Sequence, residues 1–136
     1  MKWLQSLFNI ARKTPESSTT LHRAPDGLYT LRVSGVLSRA ALDRAQMIAA
    51  HDIKDGAMDL RVLVILTHFR GWRKGDAWDD IGFFAQYDRH IARIAVVGDA
   101  QWERESLVFL AAGYRRGEVR YFPPDRESEA RAWLAG

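Results

Sequence analysis

The stretch Ile91–Leu134 alternates two kinds of segment, and that alternation constrains the fold more than any other feature. ArgIleAlaValValGlyAsp (93–99) reads as an apolar strand. A helical pattern follows, with Trp102, Ser106, Phe109, Leu110 and Gly113 on one face and Asp99 placed as its N-cap. GluValArgTyrPhePro (118–123) reads as the next strand. Pro124 and Asp125 then open a last helix that turns Ala130, Trp133 and Leu134 inward. Consecutive β-α-β-α units build a parallel sheet covered by helices.

The same logic extends upstream. Leu21–Ala24 predicts a short strand, ProAspGly (25–27) a tight turn, and Leu28–Gly35 a second strand antiparallel to the first. Pro presets φ in such a turn and Gly permits positive φ. Ser38 is placed to cap a helix running to about Asp52, with Ala41, Leu42, Ala45, Ile48 and Ala49 as its inner stripe. ArgValLeuValIleLeuThr (61–67) is almost continuously apolar, as expected of a central parallel strand covered on both faces. Residues 69–75 read as a loop. A helix is predicted from about Asp76 to Tyr87, with Ala77, Trp78, Ile81, Phe84 and Ala85 inward. Phe83 and Tyr87 then project the other way, as an interaction surface or a pocket wall. The predicted order is β-β-α-β-α-β-α-β-α, an α/β fold with a mainly parallel five-stranded sheet whose first strand is antiparallel.

An amphipathic helix is predicted over residues 1–13. Trp3, Leu4, Leu7, Phe8, Ile10 and Ala11 fall on one side, and Lys2, Gln5, Ser6, Asn9, Arg12 and Lys13 on the other. A polar linker, 14–20, joins it to a domain spanning 21–136. So short a helix is marginal in water, so something must receive its apolar face. The open face of the sheet, a second copy of the chain and an anionic membrane are the three readings. Trp3, Leu7 and Phe8 are the candidate contacts, and any membrane contact is peripheral.

Several function classes lose support. The chain has no cysteine, which removes disulfides, thiol catalysis and cysteine-ligated zinc. His22, His51, His68 and His90 are scattered, so no metal site is expected. No GxGxxG or GxxxxGK[ST] pattern occurs, so no nucleotide cofactor is expected. Ser106 sits inside a predicted helix, away from any strand-turn-helix elbow, so no catalytic residue is assigned. His68 with Asp99 is the one acid–base pair worth testing. A net charge of +3 without a basic stripe does not suggest nucleic-acid binding. No apolar run reaches the roughly 20 residues that span a bilayer. These features fit a reducing cytoplasm.

The chain resembles the SpoIIAA-like group, small α/β domains related to STAS and CRAL-TRIO domains. The resemblance rests on LeuValIleLeu (63–66), Gly71–Trp72, the segment with Trp78 and Phe84, ArgIleAlaValValGlyAsp (93–99) with Trp102, GluValArgTyrPhe (118–122) and AlaArgAlaTrpLeu (130–134). It implies strands in sequential order, helices mostly on one face and a non-enzymatic domain. STAS-type antagonists of anti-sigma factors carry a phosphorylatable serine after the central strand. Here that region is ThrHisPheArgGlyTrpArg (67–73), without serine, so a phospho-switch is not expected. The related CRAL-TRIO domains hold lipids.

Ligands of open parallel sheets collect beyond the carboxyl ends of the strands. Those ends should carry Thr67, His68, Arg70, Trp72, Arg73 and Lys74 from one loop and Asp99 from the next. Cations beside a tryptophan suit a small amphipathic anion, and the same surface suits a protein partner. A lipid-sensing or lipid-carrying module docked through residues 1–13 is the alternative.

Overall fold

The structure, a computed structural model, describes residues 17–136. The predicted helix 1–13, with Trp3, Leu7 and Phe8, lies outside the described residues. Five strands form one sheet: β1 (Ser18–Arg23), β2 (Leu28–Leu37), β3 (Leu60–Trp72), β4 (Ile91–Val97) and β5 (Glu118–Phe122). They lie in sequential order. β1 is antiparallel to β2, and the other pairs are parallel. Among the described residues there are four α-helices: α1 (Arg39–Lys54), α2 (Gly82–Tyr87) and α3 (Glu103–Phe109) connect successive strands, and α4 (Glu127–Ala135) follows the last. β1 begins at Ser18, inside the predicted linker.

Local chemistry sets the early elements as read from sequence. The Ala24 carbonyl accepts from Gly27 N at 2.9 Å, and Asp26 Oδ1 accepts from Leu28 N at 3.1 Å. Gly27 supplies the positive φ of 89° that this turn requires. Ser38 caps α1, its Oγ accepting from Ala41 N at 3.2 Å. Asp99 precedes a short 3₁₀ turn, Ala100–Trp102, and its side chain makes no capping bond there.

Alternation along the strands sorts the core into two layers. Leu63, Ile65, Ala95 and Val97 meet Ala130 and Leu134 of α4 on one face. Tyr29, Ile94 and Val96 face the opposite way, with Ile53 of α1 and Tyr87 of α2. Phe109 and Leu110, at the end of α3, pack on this second face. On the α4 face, beyond Leu28, the β1–β2 half of the sheet carries Ser18, Thr20, His22, Thr30, Arg32 and Ser34, all polar.

Two predicted elements differ. The segment 69–72 is not loop: β3 continues to Trp72, through two irregularities in its pairing with β2. Ser34 pairs with Thr67 and Gly35 with Phe69, so His68 is an extra residue, at φ 50°. A bulge of this kind shifts side-chain alternation by one. Phe69 is thereby turned to the face of α1, where it is buried with Val33, Leu37 and Leu42. The predicted helix 76–87 shrinks to Gly82–Tyr87. Before it, Asp76 Oδ2 accepts from Arg39 N at 2.7 Å and Asp80 Oδ1 from Gly82 N at 3.0 Å. Short acidic side chains at these positions compete with helical pairing of the backbone.

This change reverses the predicted faces. Tyr87 is buried, and Phe83 packs on it with ring centroids 5.1 Å apart. Neither is the exposed aromatic expected, whereas Ile81 is 61% exposed and Ala77 and Ala85 are exposed. In α1, Ile48 is likewise 49% exposed, and Ile53 takes an inner place with Leu42 and Ala45.

Candidate functional site

An apolar cleft of about 450 Å³ lies on the α1–α2–α3 face of the sheet. Tyr29, Leu31, Val62, Val64 and Ile94 form its floor. One wall is the α1 stripe Leu42, Ala45, Gln46 and Ala49, spaced to share one side of a helix. Phe83 and Phe84 of α2, with Ile81 just before it, and residues 108–111 at the end of α3 form the other. The small alanines at 45 and 49 are why the cleft exists: α1 spans the sheet without filling the space beneath it. Ile81 and Val108 line the cleft and are 61% and 75% exposed, which makes them its apolar lips. The size falls within the usual range for small-molecule sites, about 300–1,000 Å³.

The charges at the cleft are already paired. Arg39 donates from Nε to Asp43 Oδ1 at 2.8 Å and from Nη1 to the carbonyls of Ala77 and Asp80 at 3.2 and 2.9 Å. Its Nη2 lies 3.8 Å from Asp80 Oδ2. Arg39 thereby ties the start of α1 to the segment before α2. Arg115 donates from Nε to Asp88 Oδ1 at 2.8 Å and from Nη1 to the Leu110 carbonyl at 2.9 Å. Its Nη2 lies 2.7 Å from the same carboxylate oxygen, and its guanidinium stacks 5.3 Å from the centre of the Phe84 ring.

Tyr29 sits on the floor with its hydroxyl turned to the edge. Tyr29 Oη donates to Asp52 Oδ2 at 2.5 Å, and Arg23 Nε lies 3.9 Å from that oxygen. Burial pushes the phenol up to about 12, and the hydrogen bond and charge of Asp52 add to the shift. Tyr121, whose hydroxyl donates to the Asp99 carbonyl at 2.6 Å, is also pushed up to about 12, chiefly by burial. A raised folded-state pKa means the folded protein holds its proton where the unfolded chain has lost it. That contribution is complete below pH 10 and disappears as pH rises through about 12. Stability is therefore expected to fall between about pH 10 and 12, and Tyr29→Phe should flatten the fall. Urea titrations across that range, with phenolate absorbance followed in parallel, check this. An equal slope in the variant would contradict it.

The residues singled out in sequence occupy a different place. Thr67, His68, Arg70, Arg73 and Lys74 are exposed at the end of β3 and just beyond. Arg73 lies 3.9 Å from Asp76. Trp72 leaves this group for an aromatic cluster, 5.1 Å from Phe69, 6.1 Å from Trp102 and 5.3 Å from Phe109 between ring centroids. That cluster adjoins a smaller apolar cavity of about 70 Å³, which shares Leu31, Leu42, Val64, Phe109 and Leu110 with the cleft. The indole N–H groups of Trp72 and Trp102 and the hydroxyl of Ser106 are buried there without a hydrogen-bond partner. His68 and Asp99 are both exposed and share no hydrogen bond or ion pair. Of the expected surface aromatics, Phe83 lines the cleft.

Sequence reading missed the cleft because its lining looks like ordinary core. The one available signal was the α1 stripe, in which Ala45, Gln46 and Ala49 stand between Leu42 and Ile53 on the inner face. Among the described residues, no group of three His, Cys, Asp or Glu side chains is placed to hold a metal ion. None of the described helices is long and apolar enough to cross a membrane.

A model of the SpoIIAA-like family matches residues 28–135. Among solved structures, this chain is similar to an uncharacterised protein of the DUF3478 family with a SpoIIAA-like fold, from Shewanella loihica PV-4. The TM-score is 0.64 at 18% identity, over 87% of this chain and 93% of that one. At that identity the likeness concerns the fold alone. No curated protein matches the chain.

Proposed function

The chain belongs to the SpoIIAA-like family, and from that premise we propose that it is a non-catalytic binding module whose cleft takes a small, mainly apolar molecule. The observation that carries this reading is the 450 Å³ cleft, with a sheet floor of four aliphatic side chains beside Tyr29 and exposed apolar lips at Ile81 and Val108. Burying apolar ligand surface there releases about 25 cal/mol per Å². Among the described residues of the lining there is no nucleophile or uncommitted acid–base pair, which suits retention of the molecule over its conversion. The apolar lining of the cleft supports the lipid-holding alternative read from the sequence. A cytoplasmic location fits such a carrier or sensor.

The neutral fluorophore N-phenyl-1-naphthylamine tests the reading. Its emission should rise on titration with the full-length protein and saturate at one site per chain. A dissociation constant on the order of 10 µM is expected for a probe of this size. A linear, non-saturating rise would sink the proposal.

A further inference from the structure

We infer that the cleft selects neutral amphiphiles and that Gln46 is the residue that reads their polar group. The inference rests on the cleft reading above and concerns its chemistry. Six side chains on the lining carry hydrogen-bonding or charged groups: Tyr29, Arg39, Gln46, Trp78, Asp80 and Arg115.

Five of them are committed. Tyr29 donates to Asp52, and Trp78 Nε1 donates to the Arg73 carbonyl at 2.8 Å. Arg39 and Asp80 face each other, and Arg115 is held by Asp88. The Gln46 side chain makes no hydrogen bond with any described residue. It is half-buried, and it stands between Leu42 and Ala49 in the stripe that walls the cleft.

The consequences for a ligand are specific. A charged group entering this cleft gives up hydration and meets no uncommitted counter-charge, which is strongly unfavourable. A hydrocarbon would leave the Gln46 amide half-desolvated and unpaired, at a cost comparable to a lost hydrogen bond. A neutral molecule with an apolar body and one carbonyl or hydroxyl satisfies both conditions, because an amide both donates and accepts. Ketones, esters and alcohols with an alkyl or aryl body are therefore the ligand class.

The test uses three probes of one shape, measured by displacement of N-phenyl-1-naphthylamine from the full-length protein: propiophenone, propylbenzene and 3-phenylpropanoate at pH 7. Propiophenone should bind about ten-fold or more tighter than 3-phenylpropanoate. Gln46→Leu should weaken propiophenone about five- to ten-fold and tighten propylbenzene several-fold, because the unpaired amide is gone. Leucine suits a helix at least as well as glutamine, so the variant should fold. Propiophenone binding that ignores Gln46→Leu would overturn the role of this residue. An equal loss for both neutral probes would mean that Gln46 only shapes the wall, and would overturn it too. Tighter binding of 3-phenylpropanoate would overturn the neutral preference. If the fluorophore saturates and these patterns fail, the cleft reading survives without the inference. If the fluorophore itself does not bind, both fall.

Discussion

Arg115→Ala is expected to lower the unfolding free energy by about 3–5 kcal/mol. The Arg115 side chain is 6% exposed and that of Asp88 16%, so the variant strands a carboxylate away from water. Among the described residues, Asp88 would keep only the Arg116 backbone N–H, at 3.3 Å, as a partner. The Leu110 carbonyl and the Phe84 ring would lose their contacts with the guanidinium as well. Domains of this size have total stabilities of about 5–15 kcal/mol, so the loss is a large share of the whole. Urea denaturation measures it directly. The double variant Asp88→Leu, Arg115→Met should recover much of it, because the cost comes from an uncompensated charge. A loss below about 1 kcal/mol in the single variant would show that the pair is effectively solvated.

The second large effect concerns binding. Ala49→Trp places an indole where α1 now leaves space. Affinity for N-phenyl-1-naphthylamine is expected to drop about thirty-fold or more, since the probe's binding energy derives from the volume that the indole would occupy. Stability should stay within about 1–3 kcal/mol of the parent, because the new side chain enters existing space. A fluorescence titration together with a thermal melt separates the two readouts. Unchanged probe affinity in a folded variant would place the probe elsewhere.

The parts of the fold that were legible in the sequence are those with unbroken periodicity. The run 61–67 reads as a central parallel strand, and it is the third of five. The hairpin at Pro25–Gly27, the Ser38 cap and the inward Ala130, Trp133 and Leu134 likewise follow from local chemistry. The failures share one cause, which is tertiary or side-chain interruption of the period. Beyond Thr67, the extra residue His68 breaks alternation, so a continuing strand looks like a loop. The break is also what delivers Phe69 to the helix face and lets Trp72 join the aromatic cluster. Between Arg73 and Ile81, Asp76 and Asp80 capture backbone N–H groups, so a segment with helical spacing stays irregular. The shortened α2 then points Phe83 and Tyr87 inward.

The candidate site was hidden for a different reason. A side chain that lines a cleft and one that fills a core have the same apolar chemistry, and periodicity reports only which face it occupies. What separates them is volume, and the alanines of α1 record that deficit faintly. Charged residues beside a tryptophan drew attention to Thr67–Lys74, yet Trp72 is packed among Phe69, Trp102 and Phe109, apart from the exposed cations around it.

The most direct test of the cleft as the binding site is an amide chemical-shift map of the full-length, ¹⁵N-labelled protein titrated with N-phenyl-1-naphthylamine. The predicted result is a set of saturating shifts concentrated at Leu42–Ala49, Val62–Val64, Ile81–Phe84 and residues 108–111. Saturating shifts confined to Thr67–Lys74 and Asp99, or the absence of any saturating shift, would contradict it.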